Sequence, residues 1–290
     1  MLIKPDCIPC LLKASLAALR QVSNDTQFVT TVFTEILTLP MVQNAQWDIT
    51  GPEMYEQAIK LINKNSGCLD PFSELKQKQN QRALELYPMF KAKVAESEDP
   101  LVAAVKLSIM GNSSDLLMFE NTKDLESLAN GALGAELPEG VLRAFQTRVA
   151  QSGFILFFGD NSGEIILDRI LIKVIREHTK ADIVYVVRHE PALNDVTMKE
   201  ACKVGMNHTA ELIDNGIEGP LPGTIIPRCS GQVRTLFKEA DMVISKGGGN
   251  YDTLEETRSY RPDIFFLLLA KCYPYCQAFK TKLFDLVLAM

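Results

Sequence analysis

No stretch of this 290-residue chain approaches the ~20 consecutive apolar residues of a membrane span; the longest strongly apolar run, Ile264 to Ala270, has the length of a buried strand. The opening MLIKPDCIPCLLK carries one early lysine, but an aspartate, two cysteines and two prolines precede any apolar stretch, so it does not read as a secretory signal. The expectation is a cytoplasmic protein. Basic charge is also scarce: 30 Lys and Arg stand against 36 Asp and Glu, a net charge of -6. That balance disfavours a free-standing nucleic-acid binder, so neither nucleic acid nor membrane is an expected partner. An acidic protein that handles phosphates needs a metal ion or a local basic cluster to offset repulsion.

Histidine is nearly absent. His178, His189 and His208 show no HExxH or other zinc-hydrolase spacing. The seven cysteines are odd in number and scattered, which argues against a disulfide framework. There is no Walker A motif, no G-x-G-x-x-G loop, no internal repeat and no low-complexity tract.

What is present is a 47% apolar composition, enough for a full core in one or two domains. The first half reads as helical over residues 11 to 38, Ser73 to Tyr87 and Asp99 to Met110, punctuated by Pro40, Thr50-Gly51-Pro52, Gly67, Pro71 and Pro88. A further helical stretch covers Asp124 to Gln151. From Gly153 short apolar runs begin: Phe154 to Phe158, Ile183 to Val187, Thr224 to Ile226, Met242 to Ile244 and Ile264 to Leu269. Helical stretches over Gly163 to His178, Met198 to Val204 and Gly231 to Ala240 separate them. Apolar strands alternating with helices imply an α/β fold with a mostly parallel sheet covered on both faces. The expected organisation is a helical domain over 1–110, connecting helices over 111–150 and an α/β domain over 151–290.

Open parallel sheets bind ligands outside the carboxyl ends of their strands. After the first strand comes Gly159-Asp160-Asn161-Ser162-Gly163-Glu164. Carboxylate and amide oxygens suit hard cations such as Mg2+ or Mn2+, and helix capping by Asp160 or Asn161 is the plainer reading. After the second strand, Asn194 and Asp195 offer the same pair of readings. Two such pairs at neighbouring strand ends favour a metal site on Asp160, Asn161 and Asp195. After the fourth strand comes Ser245-Lys246-Gly247-Gly248-Gly249-Asn250. Three glycines let backbone N–H groups approach an oxyanion, and Lys246 supplies a point charge for a phosphoryl group. Together these give catalytic roles to Asp160 and Lys246, with the glycine loop and Asn250 on the phosphate. Arg188 and Asn194 are further phosphate-side candidates, and Asn112 and Asp115 reach toward the site from the helical half.

These segments resemble the DUF89 family, also called the damage-control phosphatase or ARMT1-like family. Cys7-Ile8-Pro9-Cys10 resembles the CxxC start of its largely prokaryotic branch, and Gly111-Asn112-Ser113-Ser114-Asp115 its GN-x-x-D segment. Gly159-Asp160-Asn161-Ser162-Gly163-Glu164 resembles its GDN-x-GE segment, and Asn194-Asp195-Val196-Thr197 its ND-x-T segment. Lys246-Gly247-Gly248-Gly249-Asn250 resembles its K-G-x-G-N loop. The resemblance implies a Rossmann-like α/β/α domain with a helical N-terminal domain. It implies a phosphatase supported by Mg2+, Mn2+, Co2+ or Ni2+, acting on a small phosphorylated metabolite such as a sugar phosphate or a phosphopantetheine-type compound. Its metal ligands fall on Asp160, Asn161 and Asp195, and its phosphate-binding lysine on Lys246. His189-Glu190 before Pro191 departs from the expected smaller residues. Cys7 and Cys10 form a candidate second metal or redox pair. Rival readings are an S-adenosylmethionine-dependent carboxyl methyltransferase, against which the missing G-x-G-x-x-G loop counts, and a non-catalytic phosphometabolite-binding module.

Overall fold

Four apolar runs, buried on both faces, lie side by side at the centre of the molecule. The computed structural model describes residues 1–112, 122–259, 261 and 263–290. Its sheet comprises β1 (Phe154–Phe158), β2 (Asp182–Val187), β3 (Glu211–Asp214), β4 (Met242–Lys246), β5 (Ile264–Leu269) and β6 (Leu286–Ala289). The strand order is β3-β2-β1-β4-β5-β6. The first five are parallel, and β6 closes the edge antiparallel to β5. Chain direction across the sheet reverses between β1 and β4, the kind of switch point at which such sheets hold ligands.

Alternation along the strands divides the side chains between two cores. Ile155 and Phe157 of β1, with Met242 and Ile244 of β4, face one layer of helices. Leu156, Phe158 and Val243 face the other. The first layer contains α4 (Ser73–Ala95), α5 (Pro100–Gly111), α7 (Glu139–Gln151) and α8 (Glu164–His178). The second contains α10 (Gly231–Glu239), α11 (Gly247–Leu254) and α12 (Tyr273–Phe279). Two-sided burial explains why the strands read as unbroken apolar runs instead of alternating ones.

A third, smaller core belongs to α1 (Cys7–Val22), α2 (Thr26–Leu37) and α3 (Gly51–Ser66), with Ile3, Met41 and Ile49. The helical segment drawn from the sequence as 1–110 therefore divides between two cores, because α4 and α5 pack on α8. The Thr50-Gly51-Pro52 stretch is the start of α3: Thr50 and Glu53 form a capping box, and Gly67 ends the helix in the left-handed region.

Several expected boundaries differ. Residues 11–38 break into two helices where Asp25 caps α2. The stretch 124–151 divides into α6 (Thr122–Gly134) and α7 around Pro138. Pro88 does not stop α4, which runs through it for 23 residues. An internal proline costs ~3 kcal/mol, but Ala83, Leu86, Phe90 and Val94 of α4 are buried against the core and outweigh it. Thr224–Ile226 is not a strand; a 3-10 turn occupies Ile226–Arg228. The third strand is Glu211–Asp214, whose Glu-Leu-Ile-Asp sequence on an edge carries no continuous apolar signal.

Candidate active site

The loops leaving β1 and β2 are tied together by backbone hydrogen bonds. Val196 N–H donates to the Asp160 carbonyl at 2.8 Å and Ser162 N–H to the Asn194 carbonyl at 2.9 Å, and Asn161 and Asp195 form an isolated antiparallel bridge. Neither acid/amide pair caps a helix. Gly163 precedes α8 with φ 80° and no side-chain cap; its N–H is held by Asn80 Oδ1 of α4 at 2.7 Å. After β2 the cap of α9 (Met198–Lys203) is Thr197, in a capping box with Glu200. Asp160, Asn161 and Asp195 are thereby released from capping and line one cavity of about 310 Å³.

The acidic side chains at the floor of that cavity, Asp160 and Asp195, and Glu164 behind them are buried. Asp160 is 6% exposed, Asp195 3% and Glu164 0%. Asn112, at the end of α5, donates through Nδ2 to Asp160 Oδ2 at 2.9 Å and to Glu164 Oε2 at 3.0 Å. Asn161 Nδ2 bridges the same two carboxylates at 2.6 and 3.1 Å. Arg188 donates through Nε to Asp195 Oδ2 at 2.6 Å and through Nη2 to Asp160 Oδ1 at 3.4 Å. Burial, followed by the negative charges of Asp195 and Glu164, pushes the Asp160 carboxyl well above the usual range. Burial also raises Asp195, against the opposing pull of Arg188.

Crowded carboxylates of this kind are the environment that a divalent cation relieves. Among the described residues no three His, Cys, Asp or Glu side chains gather as a ligand set; the oxygen donors here are two carboxylates and one amide. The Asn161 amide nitrogen is spent on Asp160 and Glu164, which leaves its carbonyl oxygen to the cavity. Asp195 uses Oδ2 for Arg188, and its other oxygen has no hydrogen-bond partner among the described residues. All-oxygen donors of this type fit a hard or borderline divalent cation.

The three glycines form the first turn of α11 instead of an open loop. Gly247, at φ 79°, lies so close under Asp160 that a Cβ there would fall 1.9 Å from Oδ2. A Cβ on Gly248 would fall 2.3 Å from the Tyr275 hydroxyl. Gly248 and Gly249 line the cavity, as do Asn112 and Asn194.

Gly247 does not itself line the cavity, and the side chains of three further expected phosphate contacts lie elsewhere. Lys246 is fully buried, and its ammonium donates to Ser108 O at 2.7 Å, Ser108 Oγ at 2.6 Å and Asp168 Oδ1 at 2.9 Å, and pairs with Glu164 Oε1 at 2.9 Å. Asp168, one turn beyond Glu164, is held in that layer behind the site and also accepts from Tyr185 OH at 2.8 Å. Asn250 Oδ1 accepts from Arg188 at 2.9 Å and from Thr224 at 2.8 Å, while its Nδ2 donates to the Gly159 and Lys246 carbonyls. Arg188 is spent on Asp160, Asp195, Thr224 and Asn250. None of these three side chains lines the cavity. Asp115 lies outside the described residues. His189 is half-exposed and faces Asp214 at 2.9 Å, away from the cavity.

Cys7 and Cys10, at the start of α1, do line the cavity, joined by Cys272 and not by Cys276. Cys10 Sγ accepts from Tyr55 OH at 3.1 Å. Burial pushes the Cys7 thiol up and the Cys272 thiol up to about 11. Asp252 also lines the cavity from the middle of α11, where it caps nothing. Lys271 was missed from the sequence, although it follows the fifth apolar run and the same strand-end rule points to it.

Comparison with known proteins returns one family. The sequence profile of the damage-control phosphatase ARMT1-like domain matches residues 3–287. A damage-control phosphatase of Archaeoglobus fulgidus is 29% identical over 99% of this chain and 98% of its own. A damage-control phosphatase of Pyrococcus horikoshii is 28% identical over 94% of this chain and 92% of its own. An uncharacterized protein of Methanocaldococcus jannaschii is 28% identical over 99% of this chain and 94% of its own. The crystal structure of a DUF89 family protein from Pyrococcus horikoshii superposes with a TM-score of 0.88 at 26% identity, covering 99% of this chain and 98% of that one.

Proposed function

Because the chain belongs to the damage-control phosphatase ARMT1-like family, we propose that it is a phosphatase that needs a divalent metal and hydrolyses a small phosphorylated metabolite. The observation that carries this reading is the buried convergence of Asp160, Asn161 and Asp195 on one cavity at the sheet's switch point. A divalent cation bound by these three side chains would neutralise charge on a phosphoryl oxygen and lower the pKa of a coordinated water. Mg2+, Mn2+, Co2+ and Ni2+ are the candidates.

The chain's own residues prepare the site. Asn112 and Arg188 fix the orientation of Asp160 and Asp195, so that ligand geometry is set before substrate arrives. Lys246 balances Glu164 and Asp168 from behind, which makes it a positioning residue in this reading. The first turn of α11 carries backbone N–H groups without intrahelical partners, with Gly248 and Gly249 at the cavity wall, suited to phosphoryl oxygens. A cavity of about 310 Å³ suits a small ligand such as a sugar phosphate or a phosphopantetheine-type fragment. Its walls include the apolar side chains of Met54 and Pro222 beside the Tyr55 ring. Cys7 and Cys10 remain candidates for a second metal or redox pair at the cavity wall, and seven free cysteines suit a reducing cytoplasm.

The test is phosphate release from p-nitrophenyl phosphate by chelated protein, then with each of the four metals restored. Release that depends on metal and disappears in Asp160→Asn supports the reading. Measurable metal binding without release under any of the four moves the protein to a non-catalytic binding role.

A further inference from the structure

The three candidate metal ligands sit on two loops, and one face of a single helix touches both. Lys76, Gln79 and Asn80 fall at i, i+3 and i+4 along α4, so their side chains leave the helix on the same side. All three are buried, on a helix whose later buried positions, Ala83, Leu86, Phe90 and Val94, are apolar. A cation and two amides cost free energy to bury unless they are well partnered. Their partners are the loops of the site. Asn80 Oδ1 accepts from the Gly163 N–H at 2.7 Å, at the left-handed turn that leads from Asp160 and Asn161 into α8. Gln79 Oε1 accepts from Asn194 Nδ2 at 3.4 Å, one residue before Asp195. Lys76 Nζ pairs with Asp70 at 2.7 Å and with Glu200 at 3.3 Å. Glu200 in turn accepts from the N–H and hydroxyl of Thr197, two residues beyond Asp195. None of the three α4 side chains lines the cavity.

We propose that Lys76, Gln79 and Asn80 are positioning residues, through which the first half of α4 fixes the loop of Asp160 and Asn161 relative to the loop of Asp195 before a cation binds. This rests on the metal-dependent phosphatase reading and deepens it, by naming what holds the ligand geometry from outside the site. The backbone bonds between the loops, Val196 to Asp160 and Ser162 to Asn194, set their register to each other. They do not tie the pair to the helical layer. Gly163 is the natural pivot, since it stands at positive φ without a Cβ and its N–H precedes α8, where no intrahelical carbonyl can receive it. Asn80 supplies that acceptor. Lys76 acts at the other loop, by holding the capping box that starts α9 just after Asp195. A ligand set held in this way gives up little ordering entropy when a cation arrives.

Three variants each remove one contact: Asn80→Ala, Gln79→Met and Lys76→Met. Lys76→Arg keeps the charge for Asp70 and Glu200. Leu86→Ala is the control, since it loosens the core on the same helix without touching either loop. Mn2+ affinity is measured by calorimetry on each folded protein, beside KM and kcat for p-nitrophenyl phosphate. Asn80→Ala and Lys76→Met are expected to weaken Mn2+ by about tenfold to a hundredfold, the usual effect of losing a partner behind a metal site. Gln79→Met should weaken it by roughly threefold, because its contact is the longest of the set. With saturating Mn2+, kcat should fall while KM stays within about threefold, since none of the three meets the substrate. Lys76→Arg should recover most of the Mn2+ affinity, and Leu86→Ala should lose stability but no affinity. Any one of the three variants that folds carries the test. The proposal is overturned if the folded variants bind Mn2+ within about twofold of the wild type, or if Leu86→Ala loses as much affinity as they do. Wild-type protein that binds none of the four metals would overturn it together with the metal-dependent reading. If the variants lose Mn2+ affinity but the wild type releases no phosphate, the positioning role stands and the phosphatase reading fails.

Discussion

A Cβ at Gly247 would lie 1.9 Å from Oδ2 of Asp160. The first residue of α11 and a candidate metal ligand after β1 thus share a space that admits no side chain. Adding one methyl group there forces either the helix start or the carboxylate to move. Gly247 is also at φ 79°, which further strains any other residue.

Gly247→Ala is therefore expected to act on the site more than on the fold. The strain of an alanine at positive φ, with displacement of Asp160, should cost roughly 1–3 kcal/mol of stability. Mn2+ affinity should fall by at least tenfold, as measured by calorimetry on the folded variant. Retention of wild-type Mn2+ affinity would show that Asp160 does not need its present position to bind metal.

Metal should stabilise the protein by linkage. A cation that binds only the folded state adds about 2.7 kcal/mol at a hundredfold excess over its Kd, which in a chain of this size raises Tm by roughly 5 °C. Asp160→Asn, Asn161→Ala and Asp195→Asn should each abolish most of that rise. A full thermal shift in all three variants would place the metal elsewhere.

How much of this was legible in the sequence depends on what each inference used. Asp160, Asn161 and Asp195 were found because a strand-end rule places them by chain position alone. The side chain of Lys246 needed one more step. Met242 and Ile244 face the α5–α8 layer, and alternation by two sends Lys246 to the same side, where Ser108 and Asp168 receive it. That step was available from the sequence, but it required knowing which face of β4 meets which helices. Glu211–Asp214 and the division of the helical half between two cores were not legible. Both are decided by packing partners distant in sequence, and neither leaves a periodic signal. Lys271 was legible in principle, since it follows the fifth apolar run directly.

The thiols at the cavity wall should differ in reactivity. Cys10 is exposed. Burial raises the Cys7 thiol, and it raises Cys272 to about 11 and Cys229 to about 12. The thiolate is the reacting form, so at pH 8 iodoacetamide should label Cys10 and the exposed Cys202 before the other three, as followed by peptide mass spectrometry. Labelling at Cys10 should lower phosphate release, and Cys10→Ser should remove that sensitivity. Equal labelling rates at Cys7 and Cys10 would contradict the burial difference.

Asp252 gives a pH dependence that can be isolated by substitution. Its carboxyl is buried on the cavity wall and pushed up to about 7 from 3.8, chiefly by burial. The N-terminal ammonium and the Tyr275 hydroxyl oppose that rise, and Glu255 adds to it. The Cys7 and Cys272 thiols face the same carboxylate. A folded-state value above the unfolded one means that the folded protein holds this proton more tightly. Its stabilising contribution is therefore complete below about pH 4 and is lost as pH rises toward 7. A shift of about three units corresponds to at most roughly 4 kcal/mol. Asp252→Asn keeps the shape and an acceptor for Tyr275 but cannot ionise. Its stability in urea, relative to wild type, should grow steadily from pH 5 to pH 7 and level off above. Other buried carboxylates, Asp160 and Asp195 among them, titrate in both proteins and drop out of the difference. A stability difference that stays flat over that range would mean that Asp252 is already ionised at pH 5, which would require water or a cation at its second oxygen, Oδ1, which has no partner among the described residues.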